Sequence, residues 1–135
     1  MRLLNRGVAL VGASAALVLG GTLAMAPTAA AGENSPYAYT TDPSPTGGRA
    51  RFIANGDIIQ ACDLHTDNYY VWGQLYYFAG AFIESVREET TGDCDGDSHD
   101  IEENRFVEVE TCLGDSTGAN VRYCTAPAGW TVGIS

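Results

Sequence analysis

The stretch YYVWGQLYYFAG, Tyr69 to Gly80, decides the fold. Its aromatic residues, with Val71 and Leu75, predict a long strand from Tyr69 to Ala79. Alternation puts Tyr70, Trp72, Tyr76 and Phe78 on one face, with Gln74 among them. Val71, Leu75 and Tyr77 share the other face with Tyr69 and Gly73. Both faces are apolar, so the strand is either buried twice or leaves one face as an aromatic platform. A small chain needs its aromatics inside, which argues for core packing. An open platform of Tyr70, Trp72 and Tyr76 would instead be a binding surface for sugar rings or for a protein.

The neighbouring segments extend the same pattern. RARFIA runs into Asn55-Gly56 and then DIIQACD. An Asn-Gly pair between apolar runs predicts a hairpin, because both turn positions tolerate positive φ. After the turn HTDN and the aromatic strand, FIESVREE, Phe82 to Glu89, predicts a further strand. Thr90 to Asn104 is acidic and predicts an inter-strand loop. RFVEVETCL, Arg105 to Leu113, places Val107, Val109 and Thr111 on one face and Glu108 and Glu110 on the other. VRYCT closes a second hairpin, and the tail at Trp130 adds a strand. No window holds a helical period. The expectation is an all-β chain: a small antiparallel β-sandwich, or a barrel-like relative, of six to seven strands.

The ends of the chain set its destination. Arg2 and Arg6 precede an uncharged apolar run from Gly7 to Met25, and Thr28-Ala29-Ala30-Ala31 offers a small-residue cleavage site. That order predicts a secretory signal peptide over residues 1–31, cleaved before Gly32, and a secreted, extracellular protein. Residues 32–48, GENSPYAYTTDPSPTGG, are rich in proline and glycine and predict a flexible N-terminal tail. The β domain then covers residues 49–135. Loss of Arg2 and Arg6 with all 17 acids retained takes the net charge from −10 to −12. So acidic a surface repels nucleic acid and anionic membrane and suits a basic partner.

All four cysteines follow the leader. An even count in a small exported chain predicts two disulfides, with three connectivities open. Pairing Cys62–Cys94 and Cys112–Cys124 is preferred, because the second pair encloses a short, turn-rich segment that staples neighbouring strands. Gly56-Asp57, Cys62-Asp63, the ETCL ending at Cys112 and Tyr123-Cys124 carry a further likeness. From Arg49 to Thr125 the chain resembles small secreted actinobacterial proteins with a leader and a disulfide-stapled β-domain. The resemblance implies export and β-structure, and no catalytic residue comes with it.

Four constellations bear on chemistry. In DCDGDSHD, Asp93 to Asp100, an EF-hand register from Asp93 puts Ser98 where glycine is needed and Asn104 where glutamate is needed. Asp93, Asp95, Asp97 and Asp100 remain candidates for an irregular, weak calcium site; the alternative is a solvated acidic loop. Cys62, His65, Cys94 and His99 have the composition of a zinc set, but secretion favours disulfides. His65 and His99, each beside aspartates, are the candidate acid–base groups of a small secreted hydrolase. The segment Gly114 to Arg122, held by a disulfide, is the candidate loop of a protease inhibitor. The expected function is a non-catalytic extracellular binding or structural module, with a protein or glycan as partner and no resident cofactor.

Overall fold

The computed structural model describes residues 32–125 and 131–134; the leader and Trp130 lie outside the described residues. Among the described residues there are eight strands and no helix. They are β1 (Ala38–Tyr39), β2 (Gly48–Ile53), β3 (Ile58–Asp63), β4 (Tyr70–Tyr77), β5 (Phe82–Glu88), β6 (Cys94–Ser98), β7 (Phe106–Gly114) and β8 (Thr131–Ile134). Two four-stranded sheets form, ordered β1-β2-β3-β6 and β5-β4-β7-β8, and every pairing is antiparallel. Both preferred disulfides, Cys62–Cys94 and Cys112–Cys124, are present. The chain is the all-β sandwich that its alternation predicts.

The core lies between the sheets. Ala50 and Phe52 of β2 and Ile59 and Ala61 of β3 face Val71 and Leu75 of β4 and Val107 and Val109 of β7, all fully buried. Thr111 joins them and donates its hydroxyl to the Ala38 carbonyl at 3.0 Å, so its polar atom is satisfied. The middle of the interface is built from small residues. A Cβ on Gly73 would meet Ala50 at 3.0 Å and Ala61 at 3.3 Å. The sheets approach too closely there for an aromatic ring, and larger side chains, Phe52 and Leu75 among them, fill the core on either side.

Three segments depart from expectation. Residues 32–48 are no tail outside the fold. They supply β1, and Glu33 exchanges two backbone hydrogen bonds with Ile134 of the opposite sheet. Phe52 N–H donates to the Ser35 hydroxyl at 2.9 Å, and Ser35, Ala38 and Thr40 are buried. The prolines interrupt regular pairing without releasing the segment, because its polar side chains cap backbone groups of β2. The acidic stretch is not a loop either: it forms β6, with Cys94 directly opposite Cys62 in the register and five successive residue pairs along β3. A cross-strand disulfide and a backbone ladder impose the strand where side-chain pattern does not. Finally, VRYCT meets β7 in a broken hairpin: Leu113 and Arg122 exchange two backbone hydrogen bonds, and Thr125 N–H donates to the Thr111 carbonyl at 2.8 Å. Tyr123, between the two contacts, has φ +53°, and that left-handed turn interrupts the pairing. At the first hairpin, positive φ falls on Gly56 and Asp57, one residue later than the Asn-Gly pair suggests.

Candidate functional site

The two faces of β4 separate cleanly. Val71, Gly73 and Leu75 point inward and are buried, whereas Tyr70, Trp72, Gln74 and Tyr76 point outward and are partly exposed. Core packing of Tyr70, Trp72 and Tyr76 is therefore corrected: the close approach at Gly73 sends the large rings to the outer face of the β5-β4-β7-β8 sheet. The inner aromatic of this strand is Tyr77, packed at the edge of the core beneath the Arg105 guanidinium, 4.9 Å from its ring centre.

The outer face has three parts. At one end Trp72 donates its indole N–H to the Asp115 carbonyl at 3.0 Å. A Cβ on Gly118 would touch the same indole at 3.0 Å, so the 115–118 turn lies against the ring. Arg87 stacks near Tyr70, 5.0 Å from the ring centre, and donates to the Ser116 carbonyl. In the middle, the Tyr76 hydroxyl lies 2.7 Å from Gln74 Oε1 and 3.3 Å from Glu110 Oε2. Burial pushes the Glu110 carboxyl above its usual range, opposed by the bond from Tyr76. The Tyr76 phenol is likewise raised, first by burial and then by the charge of Glu110.

The other end is open. Phe78, Phe82 and Phe106 are 61%, 55% and 54% exposed. Phe78 N–H donates to the Phe106 carbonyl at 3.0 Å, and Phe82 meets Tyr76 edge-on with ring centres 5.7 Å apart. The three phenylalanines thus gather at this end, Phe82 on β5, Phe106 on β7 and Phe78 in the turn that follows β4, with Glu108 opposite Tyr76 in the register. Sequence alternation assigns Phe78 to this face. Phe82 and Phe106 come into it only through the pairing of β5 and β7 with β4.

The remaining candidates are dispersed or already engaged. Asp95 and Asp97 accept hydrogen bonds from the N–H of Gly96 and Ser98, each the next residue along the exposed strand β6. Among the described residues, Asp93, Asp95, Asp97 and Asp100 do not gather their carboxylates into a cluster fit for a metal ion. Cys62 and Cys94 are bonded to each other, so the zinc set has no thiolates. Glu110 does lie near Cys112 and Cys124, but those sulfurs are bonded together too. His65 follows β3 and His99 follows the antiparallel β6, which places them at opposite ends of that sheet. His99 Nδ1 is 3.8 Å from Glu84. The 114–122 loop is well braced: Asp115 accepts from the Thr117 N–H at 3.0 Å and hydroxyl at 2.6 Å, and from Asn120. These bonds, first that from the Thr117 side chain, hold the Asp115 carboxyl down to about 2.

Two further features carry no motif. One is an acidic cavity of about 500 Å³, lined by Asp63, Thr66, Asp67, Tyr69 and Glu89 among others. Asp63 is 2% exposed and accepts the His65 N–H. Burial raises its pKa against the pull of that bond, and Asp67 and Glu88 add to the rise. The other is a pair of arginines, Arg49 and Arg51, whose guanidinium carbons lie 4.1 and 4.7 Å from the centre of the Tyr37 ring.

No protein-family model, curated protein or solved structure matches this chain. The fold and the outer face define a disulfide-stapled antiparallel β-sandwich with an aromatic surface on one sheet.

Proposed function

We propose that the protein is a secreted, non-catalytic module that docks an extracellular protein through Phe78, Phe82 and Phe106. The observation that carries this reading is the exposure of three phenylalanines, each more than half open, two on the strands that flank β4 and one in the turn that follows it. Contiguous apolar surface of this kind is characteristic of interaction sites, and aromatic anchors dominate binding energy. Glu108 and Glu110 flank the patch, and the chain is strongly acidic. A partner with an apolar contact and a basic rim complements it, whereas a second copy would bring like charges together. A glycan is less well served, because Trp72 spends its N–H on Asp115 and lies against the 115–118 turn.

Export is supported by the leader pattern and by two disulfides, which persist in oxidising compartments. Among the described residues no helix is long and apolar enough to cross a membrane.

The test is a photo-reactive benzoylphenylalanine placed at position 106, and separately at Ser98 on the other sheet, in chains exported by the native host. A protein adduct from position 106 and none from position 98 is expected. Equal labelling at both, a glycan adduct from 106, or no adduct at all removes the proposal.

A second reading rests on the braced loop. Its disulfide and the Asp115 hydrogen bonds preorganise residues 114–122, as an inhibitor loop requires. Stoichiometric titration of a secreted protease, lost on Cys112→Ser, is its test.

A further inference from the structure

The positive charge of this acidic molecule is not scattered evenly. Arg49 and Arg51 both point outward from β2, and both stack on Tyr37. No outward position of β1, β2, β3 or β6 holds a carboxylate, because the register turns Asp63, Asp95 and Asp97 to the opposite side. Among the described residues neither arginine has an ion pair, while Arg87 and Arg105 each have one. Arg51 Nε donates to Gln60 at 3.1 Å. Arg49 Nε is buried with no hydrogen-bond partner. A buried guanidinium N–H without a partner leaves that charge poorly compensated, and an anion at the guanidinium's other nitrogens supplies the counter-charge.

We propose that Arg49, Arg51, Tyr37 and Tyr39 form a binding site for an acidic sugar, with the two guanidiniums on its carboxylate. The planar guanidinium fork matches a carboxylate bidentately. Both guanidiniums lie against one ring, which concentrates positive charge there for an anionic ligand. A dense polyanion needs a track of cations and would be repelled by the rest of this surface. Tyr39 is 47% exposed, lies 6.2 Å from Tyr37, and pairs with Arg49 across β1 and β2. It offers an aromatic surface for the sugar ring beside the charged group. The site lies on the opposite sheet from the phenylalanine patch and stands independently of it.

The experiment titrates the secreted-length chain with trigalacturonate, with maltotriose as the neutral control and inorganic phosphate as the free oxyanion, followed by NMR. Trigalacturonate is expected to saturate shifts at Tyr37, Tyr39, Arg49 and Arg51, and to weaken as salt is raised. Arg51→Gln lowers the affinity about tenfold, the loss of one charge-assisted bond. Arg49→Gln does the same; if it fails to fold, Arg51→Gln decides. Arg122→Gln, which removes a guanidinium stacked on Tyr69, leaves the affinity unchanged. Absence of trigalacturonate binding overturns the proposal, as does binding that survives Arg51→Gln. Equal binding of maltotriose, or of phosphate, overturns it as well.

Discussion

Gly73 of β4 faces Ala50 of β2 across the sandwich, and a Cβ on Gly73 would stand 3.0 Å from the Ala50 Cβ. That contact sets the spacing of the sheets. Gly73→Val forces side-chain volume into it and is expected to destabilise by about 2 kcal/mol, as overpacked cores do. Urea unfolding monitored by far-UV circular dichroism measures the loss. A variant as stable as the parent means that the sheets do not meet there.

The outer phenylalanines behave oppositely. Phe78→Ser and Phe106→Ser remove rings that are more than half exposed, and the expected change is within about 0.5 kcal/mol. Leu75→Ala, on the inner face of the same strand, costs about 3 kcal/mol by leaving a cavity. Similar losses at all three positions would put the phenylalanines in the core and end the docking reading.

The two disulfides are unequal. Cys62 and Cys94 are 32 residues apart and Cys112 and Cys124 are 12 apart. The longer closed loop constrains the unfolded chain more, so Cys62→Ser with Cys94→Ser costs about 4 kcal/mol, against about 3 kcal/mol for the other pair. Paired melts under one denaturant rank them. Losing the shorter bridge also frees the turn beside Trp72, so indole fluorescence shifts in that variant.

Asp115 titrates low. Its carboxyl is held at about 2 by Thr117 and Asn120, below the ordinary aspartate value. A depressed carboxylate contributes stability that is present above the unfolded value near pH 4 and lost as pH falls through about 2. The Asp115 carboxyl carbon signal should therefore titrate near pH 2, with the Thr117 and Asn120 amides moving together. A midpoint near pH 4 means the hydrogen bonds do not form.

Asp63 is raised, chiefly by burial, so its charged form opposes folding at neutral pH. Asp63→Asn keeps an acceptor for the His65 N–H and removes that charge. The variant is expected to melt above the parent at pH 7. The gain shrinks as pH falls through the raised pKa and disappears where the Asp63 carboxyl is protonated in the folded and the unfolded chain alike. Thermal melts at pH 7 and pH 3 check both halves.

The strands with hydrophobic alternation were readable in advance. Val107, Val109 and Thr111 are all fully buried, and the cysteine pairing followed from loop length and turn content. β4 was readable as a strand but not as a two-sided one, because both of its faces are apolar and the small residues that exclude its rings lie on β2 and β3. β6 was invisible because CDGDS has no apolar alternation; its partner, not its side chains, makes it a strand. The site of Arg49 and Arg51 needs Tyr37, which sits in a proline-rich segment that reads as unstructured. Phe82 reaches Phe78 across one tight turn, but Phe106 is far along the chain, and only the sheet order sets it beside Phe78.

β6 is a free edge with every side chain exposed, and a free edge can recruit another chain. Two copies laid side by side along it would set Asp95 and Asp97 against their own counterparts, with Glu84 and Glu88 of the β5 edge nearby. The like charges of these carboxylates oppose the match. The acidic strand therefore guards the open edge of its sheet against fibre growth.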